Sequence, residues 1–206
     1  MNLSQKRKRF KNIEIGTGKF FSKIPLSPNQ YTLLSLFLVF LSLYFLIKIQ
    51  MTAAAAFFLL AVFFDFIDGA VARFENKATK IGAYLDTICD RYVEGIILLG
   101  FLFLSLPKFG FEAKIWIFLA LFGSLMTTYA KAAAREKELV REEFEKGWLA
   151  RPERAILILL SLILGIFNFS LMIYPIIVLA LLSNFTALQR IFYYLKTEPR
   201  NNGTKK

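Results

Sequence analysis

Residues 65–90 read DFIDGAVARFENKATKIGAYLDTICD, and they lie between two apolar runs, residues 53–64 and 96–106. This stretch brings four carboxylates to or near membrane depth: Asp65, Asp68, Asp86 and Asp90. On translocon-insertion scales, an aspartate at the centre of a membrane helix costs roughly 2.5 to 3.5 kcal/mol. Four such costs would exceed the stability of many domains, unless the carboxylates share cations, water or pairing partners.

The spacing of these carboxylates indicates what they share. Asp65 and Asp68 are three residues apart. Gly82, Asp86 and Asp90 follow one another at intervals of four. Each set therefore falls on one face of a helix, and two acidic faces joined by a short polar turn can form one oxygen-lined pocket. Because the chain has no histidine and one cysteine, we expect this pocket to hold Mg²⁺, or Mn²⁺ in its place, rather than Zn²⁺.

Composition and length fit a single-domain, all-α integral membrane protein. The chain has 206 residues, of which 56% are hydrophobic and 23 are phenylalanine, far more than in a soluble domain. The net charge of +11 fits basic loops that stay in the cytoplasm and attract anionic lipid headgroups. Because no nucleic-acid-binding pattern accompanies this charge, we expect the lipid bilayer, and no nucleic acid, as a partner.

The order of apolar and polar segments predicts six transmembrane helices after an N-terminal amphipathic interfacial helix. That basic amphipathic segment occupies residues 1–27, the six-helix domain residues 28–196, and a polar tail, expected to be disordered, residues 197–206. The expected spans are residues 31–47, 53–74, 81–106, 115–126, 155–167 and 171–195. The fourth helix is expected to continue through Lys131 and to end near Gly147. Basic residues at both ends place both termini in the cytoplasm.

The acidic stretch also resembles the signature of the CDP-alcohol phosphotransferases, integral membrane enzymes that make phospholipids. The shared pattern is D-x2-D-G-x2-A-R-x8-G-x3-D-x3-D. Eight positions carry it here: Asp65, Asp68, Gly69, Ala72, Arg73, Gly82, Asp86 and Asp90. The segment from Ser27 to Thr32, SPNQYT, resembles the family's T-P-N-x-x-T, although Ser27 and Pro28 also make a good helix start.

The resemblance implies a reaction and the residues that support it. In the family, carboxylates matching the four aspartates hold two metal ions around the pyrophosphate of a CDP-linked lipid. The last one, Asp90, is the catalytic base for the acceptor hydroxyl, which attacks the lipid-side phosphorus so that CMP leaves. The positions implied in CDP-lipid binding are Asn29, Gln30, Gly69, Ala72, Arg73, Thr79 and Gly82. The resemblance places the site near the cytoplasmic face of the cell membrane, and it implies a homodimer.

Structural roles remain open for several of these residues. Helix packing is the alternative role for Gly69 and Gly82, and membrane anchoring is the alternative for Arg73. For Thr79, helix capping explains the residue equally well as ligand binding. From another functional class, a cation transporter would use the acidic helix faces. It would leave the fixed spacing of Gly69, Ala72 and Arg73 unexplained.

Three segments of the second half resemble the phosphatidylinositol phosphate synthases within this family. They are YAK at residues 129–131, RPER at 151–154 and TALQR at 186–190. The resemblance implies that the phosphate of inositol 1-phosphate is held by Lys131, Arg154 and Arg190, with Arg151 as an addition. Ala133 departs from the pattern, which has arginine there, and cytoplasmic flanking charge is the alternative explanation. We therefore expect inositol 1-phosphate as acceptor, followed by glycerol 3-phosphate and serine, and a CDP derivative of diacylglycerol or archaeol as donor.

Overall fold

The computed structural model describes residues 13–139 and 148–196, and its regular secondary structure is helical throughout these ranges. Gly147 and the polar tail from residue 197 lie outside them. Residues 13–21 form the described part of helix α1. The later helices are α2 (Pro28–Ile47), α3 (Met51–Phe74), α4 (Lys80–Leu102), α5 (Ala113–Glu136), α6 (Arg151–Phe167), a 3₁₀ helix (Phe169–Met172) and α7 (Ile173–Lys196). The chain divides into two compact units, Met1–Gly100 and Phe101–Lys206.

In the first unit, α2 and α3 form an antiparallel hairpin that small polar residues hold closely together. The Ser35 hydroxyl donates to the Ala61 carbonyl oxygen, and the Ser42 hydroxyl donates to that of Ala54, each at 2.8 Å. Ser42 lies after Ser35 on α2, whereas its partner Ala54 lies before Ala61 on α3. The two helices therefore run in opposite directions. Small residues allow the two backbones to approach, as in other membrane helix pairs.

Helix α4 runs parallel to α2, and glycines at both ends make the approach close. A Cβ atom added at Gly82 would lie 3.3 Å from Asn29 Oδ1, near the start of α2. A Cβ atom added at Gly100 would lie 2.8 Å from Leu46 and 2.9 Å from Leu43, near its end. The first turns of α2 and α4 therefore lie together, next to the last turns of α3.

In the second unit, α5 and α7 run parallel, and α6 returns antiparallel to α7. The Asn184 side chain donates a 2.8 Å hydrogen bond to the Leu119 carbonyl oxygen, which joins α7 to α5. The Ser161 hydroxyl of α6 donates to the carbonyl oxygen of Met172, just before α7 begins. These contacts place the start of α6 beside the later turns of α5 and α7.

Four helices of the described chain are long and apolar enough to cross a membrane: Pro28–Ile47, Met51–Phe74, Ala113–Glu136 and Phe169–Lys196. The other two expected spans differ from them in identifiable ways. Helix α4 carries Asp86, Asp90, Arg91 and Glu94, and α6 is 17 residues long. The charged residues lower the mean hydropathy of α4, and α6 is shorter than the other spans, but both segments are helical as expected.

The observed helix ends correct two expectations. Helix α5 ends at Glu136 with Lys137 as its C-cap, so the expected continuation to Gly147 is wrong. The reason is a left-handed residue, Glu138, whose φ of 55° is incompatible with a continuing α-helix. Helix α4 ends at Leu102 rather than at residue 106.

Candidate active site

Three of the four predicted carboxylates meet where α3 and α4 approach each other. Asp65 and Asp68 lie on α3, and Asp86 lies on the second turn of α4. One carboxylate oxygen from each lies within 4.8 Å of the others. A set of oxygen donors this close together fits a hard divalent cation such as Mg²⁺ or Mn²⁺. The expected convergence of two acidic helix faces is therefore present in the structure.

A threonine from a third helix orients one of these carboxylates. The Thr32 hydroxyl on α2 donates a 2.6 Å hydrogen bond to Oδ2 of Asp68. Both side chains are buried, and Asp68 is only 5% exposed. A hydrogen bond to a carboxylate that binds a cation fixes the orientation of that carboxylate and tunes the cation affinity. No role was predicted for Thr32, although it closes the SPNQYT segment that resembles the family.

Asp90, the predicted base, lies outside this group of three. It follows Asp86 by one helical turn on the same face of α4 and is 8% exposed. Glu94 continues the same face one turn further along. Its Oε2 lies 2.7 Å from Nη1 of Arg91, and both side chains are largely buried. This ion pair was not predicted, although the interval of four residues continues from Asp90 to Glu94.

Two of the carboxylates, those of Asp68 and Asp86, border an open cavity of about 420 Å³ in the first unit. This volume lies within the range of small-molecule sites. Of the residues predicted to bind the CDP-lipid, the cavity is lined by Asn29, Gly69, Ala72, Arg73, Thr79 and Gly82. Asp68, Asp86 and Thr32 also line it, together with Ser27, Pro28, Lys77, Ala78 and Ala83.

Gln30 is the one predicted CDP-lipid residue that does not line this cavity. Its side-chain oxygen accepts a 2.7 Å hydrogen bond from the backbone N–H of Ser27, which caps α2. The expected helix start, with Ser27 as the cap and Pro28 in the first position, is confirmed. A ligand role for Gln30 stays a prediction.

The turn before α4 combines capping with cavity lining. Thr79 Oγ1 accepts a 2.9 Å hydrogen bond from the backbone N–H of Gly82. This bond satisfies one of the first N–H groups of α4, so the capping role considered for Thr79 is confirmed. Because Thr79 also lines the cavity, capping presents the threonine to any ligand bound there.

Arg73 extends along the cavity wall at the end of α3. A Cβ atom added at Gly69 would lie 3.1 Å from Nη2 and 3.3 Å from Nη1 of Arg73. The missing side chain at Gly69 therefore provides the space that the guanidinium group occupies. The Nε atom of Arg73 donates to a carboxylate oxygen of Glu14, which lies on α1.

In the second unit, two of the four predicted acceptor residues meet at Thr127 of α5. Arg154 Nη1 lies 3.4 Å from the Thr127 hydroxyl oxygen, and Arg190 Nη1 donates a 2.5 Å hydrogen bond to the Thr127 carbonyl oxygen. Lys131 follows Thr127 by one helical turn on the same face of α5. Arg151 is half-buried at the first position of α6.

A second threonine supports the start of α6. The buried Thr186 Oγ1 on α7 accepts a 3.2 Å hydrogen bond from the backbone N–H of Leu149. No role was predicted for Thr127 or Thr186. Thr186 opens the TALQR segment, whereas Thr127 precedes YAK and carries no sequence signal of its own.

Known proteins with similar sequences identify the family of this chain. The sequence model of the family described as CDP-alcohol phosphatidyltransferase matches residues 25–188. Archaetidylinositol phosphate synthase of Methanothermobacter thermautotrophicus is 36% identical over 150 residues, which cover 70% of each chain.

Two crystal structures of phosphatidylinositol phosphate synthase from Mycobacterium tuberculosis share the fold at 26% identity. The structure with bound CDP-DAG has a TM-score of 0.75 and covers 90% of this chain and 95% of that one. The structure in complex with manganese and citrate has a TM-score of 0.76, with 89% and 90% covered.

These similarities decide between the transferase and the cation transporter that the acidic faces also allowed. Apolar helices long enough to cross a membrane agree with the family's membrane location. The chain is therefore a membrane-embedded transferase that belongs to the CDP-alcohol phosphatidyltransferase family.

Proposed function

We propose that the protein is a phospholipid synthase that depends on a divalent cation. It transfers a phosphatidyl or archaetidyl group from a CDP-linked lipid to myo-inositol 1-phosphate and releases CMP. The observation that carries this proposal is the group of Asp65, Asp68 and Asp86 oxygens within 4.8 Å of one another. Two of these carboxylates line the cavity that also contains the residues expected to hold the CDP-lipid.

The cavity offers complementary groups for a nucleoside diphosphate. Arg73 and Lys77 supply positive charge at its wall, and arginine suits the two oxygens of a phosphate group. Asn29 and Thr79 supply polar side chains, while Gly69 and Gly82 allow a ligand to approach the backbone. We propose that two divalent cations, Mg²⁺ or Mn²⁺, bind here. When bound, they would stabilise negative charge on the phosphoryl oxygens.

Asp90 is the proposed base. The acceptor hydroxyl gives its proton to the Asp90 carboxylate, while its oxygen forms a bond to the lipid-side phosphorus. The bond between that phosphorus and the bridging oxygen breaks, and CMP leaves with this oxygen. Asp90 acts mainly through its position: it is buried and lies one helical turn from Asp86.

The basic group around Thr127 supports a phosphorylated acceptor. Arg154 and Arg190 come from different helices and meet at one residue, and Arg154 is 4% exposed. Arginine forms strong, often paired hydrogen bonds with a phosphate group, so two guanidinium groups that meet at one residue suit a phosphorylated acceptor. Lys131 and Arg151 are proposed to add charge. The inositol phosphate synthases among the relatives favour inositol 1-phosphate over glycerol 3-phosphate and serine, which remain second and third.

The membrane arrangement is part of the proposal. We propose that α4 and α6 also span the bilayer, which gives six spans with both termini in the cytoplasm. Helix α1 lies in the headgroup region with exposed Ile13 and Phe20 toward lipid, and the enzyme acts as a homodimer near the cytoplasmic face.

A competition between acceptors tests the proposed substrate. Purified protein receives Mg²⁺, CDP-diacylglycerol or CDP-archaeol, and equal amounts of inositol 1-phosphate, glycerol 3-phosphate and serine. Mass spectrometry of the lipid product is expected to show the inositol phosphate headgroup. The Asp90→Asn variant is the control for product formed without the enzyme's base. A glycerophosphate or serine headgroup as main product would contradict the assignment of inositol 1-phosphate.

A further inference from the structure

An ion pair between Glu14 and Arg73 joins α1 to the candidate CDP-lipid cavity. The Nε atom of Arg73 donates to Glu14, while its two Nη atoms lie over Gly69 at the cavity wall. Because Glu14 holds the Nε side of the guanidinium group, the Nη edge stays turned toward the cavity. We propose that Glu14 is a positioning residue, which presents Arg73 to the diphosphate of the CDP-lipid. This inference rests on the proposed function, because it takes that diphosphate as the ligand of Arg73.

Arg73 needs such a partner because its side chain is 58% exposed. An exposed arginine samples many rotamers, and a ligand that binds it must supply the free energy of ordering it. Glu14 is only 25% exposed and orders the side chain in advance. Exposed ion pairs contribute little to folding stability. We therefore expect the loss of Glu14 to change ligand affinity rather than the free energy of unfolding.

Gly18 sets the distance across which Glu14 reaches Arg73. A Cβ atom added at Gly18 would lie 2.6 Å from the Ala70 carbonyl oxygen and 2.8 Å from Phe74 Cβ. Both partners lie within one helical turn of Arg73 on α3. Gly18 follows Glu14 by four residues, so both fall on the same face of α1.

The end of α1 is held independently on the neighbouring helix. The Tyr31 hydroxyl on α2 donates a 3.0 Å hydrogen bond to the Phe21 carbonyl oxygen. The Phe21 ring packs edge-to-face on Tyr31 with ring centroids 6.3 Å apart. Helix α1 is therefore attached to α3 through Glu14 and Arg73, and to α2 at its C-terminal end. The second attachment helps to keep Glu14 beside Arg73 at the proposed CDP-lipid site.

Binding of CDP in the presence of Mg²⁺, measured by calorimetry on the purified full chain, tests the role of Glu14. Glu14→Ala is expected to raise the Kd for CDP about threefold to fivefold, the range of an exposed ion pair. Glu14→Gln should raise it less, because the amide oxygen still accepts from Nε. In turnover, the KM for the CDP-lipid should rise while the KM for the acceptor stays unchanged.

A double-mutant cycle shows whether Glu14 acts through Arg73. In the Arg73→Ala background, Glu14→Ala is expected to have no further effect on CDP binding. An additive loss in that background would contradict the positioning role. Tighter CDP binding by Glu14→Ala would also overturn it, because Glu14 would then compete with the diphosphate.

Two glycines of α1 provide a matched pair of variants. Gly18→Ala is expected to weaken CDP binding as Glu14→Ala does, because the added methyl group pushes α1 away from α3. Gly16→Ala should leave binding unchanged, because a Cβ atom there meets nothing within 4 Å. If wild-type protein binds no CDP, the proposed function fails and the inference fails with it. If wild type binds CDP and the Glu14 and Gly18 variants bind it equally well, only the inference fails.

Discussion

The Thr32 hydroxyl donates a 2.6 Å hydrogen bond to Asp68. This bond joins the start of α2 to the cluster of three carboxylates that α3 and α4 contribute. The bond is buried, so water does not easily replace it. Thr32→Val keeps the shape of the side chain and removes the hydroxyl. We expect the affinity for the divalent cation to fall by about tenfold to a hundredfold, the usual effect of losing a hydrogen bond that orients a cation ligand. Mn²⁺ binding followed by electron paramagnetic resonance measures this directly.

Ser35→Ala is the matched control for Thr32→Val. It removes another buried hydrogen bond between α2 and α3, from Ser35 to the Ala61 carbonyl oxygen, away from the carboxylates. We expect it to lower stability by about 1 kcal/mol and to leave Mn²⁺ affinity unchanged. Equal Mn²⁺ affinities for wild type and Thr32→Val would rule out the orienting role of Thr32.

Asp90→Asn tests the proposed base. The amide has the same shape but does not accept the proton of the acceptor hydroxyl, so turnover should be abolished. Binding of the CDP-lipid should be largely retained, because Asp90 lies outside the group of Asp65, Asp68 and Asp86. Single-turnover CMP release and CDP binding, measured on the same preparation, separate the two effects. Turnover that survives the substitution would remove Asp90 as the base.

Thr127→Val tests the basic group of the second unit. The variant loses the hydroxyl beside Arg154 and keeps the carbonyl oxygen that Arg190 contacts. We expect the acceptor's KM to rise roughly threefold to tenfold, in line with one lost hydrogen bond, and the CDP-lipid's KM to stay unchanged. Arg190→Ala should raise the acceptor's KM further.

The adjacent threonine supplies the comparison for Thr127→Val. Thr128→Val changes the neighbouring residue of α5, on another face of the helix, and should leave both KM values unchanged. An unchanged acceptor KM in Arg190→Ala would count against the assignment of this group to the acceptor phosphate.

Gly123→Ala tests the contact between α5 and α7. The added Cβ atom would lie 2.7 Å from the Asn184 backbone nitrogen, which cannot move without displacing the helix. We expect a loss of about 1 to 3 kcal/mol, visible as a lower Tm in detergent. In Gly165→Ala the nearest atom is the flexible end of Met172, 2.6 Å away, so the loss should be smaller. A higher Tm for Gly123→Ala would contradict the close helix approach.

Local sequence spacing predicted the first half of the site well. Residues three or four apart share a helix face whatever the tertiary fold, so spacing alone placed Asp65 with Asp68 on one face. That Asp86 meets them from α4 was an expectation, which the packing of the two helices decides. The bonds from Thr32 to Asp68 and from Glu14 to Arg73 join residues far apart in sequence. They depend on how helices pack, which no local pattern encodes.

Helix ends and membrane spans were predicted less evenly. The end of α5 depends on a left-handed glutamate, Glu138, at a position where a sequence pattern would expect glycine. Helix α4 was expected to span because its second half is apolar. Asp86, Asp90, Arg91 and Glu94 lower its mean hydropathy, so hydropathy does not identify α4 as a span.

CMP release by purified protein tests the central claim most directly. The protein receives a CDP-lipid and Mg²⁺, and inositol 1-phosphate, glycerol 3-phosphate, serine and free inositol are offered separately. We expect release with inositol 1-phosphate alone, and none after chelation of the cation. Release with a different acceptor only would keep the enzyme class and contradict the role given to Lys131, Arg154 and Arg190. No release with any acceptor, together with no binding of the CDP-lipid, would contradict the proposed reaction itself.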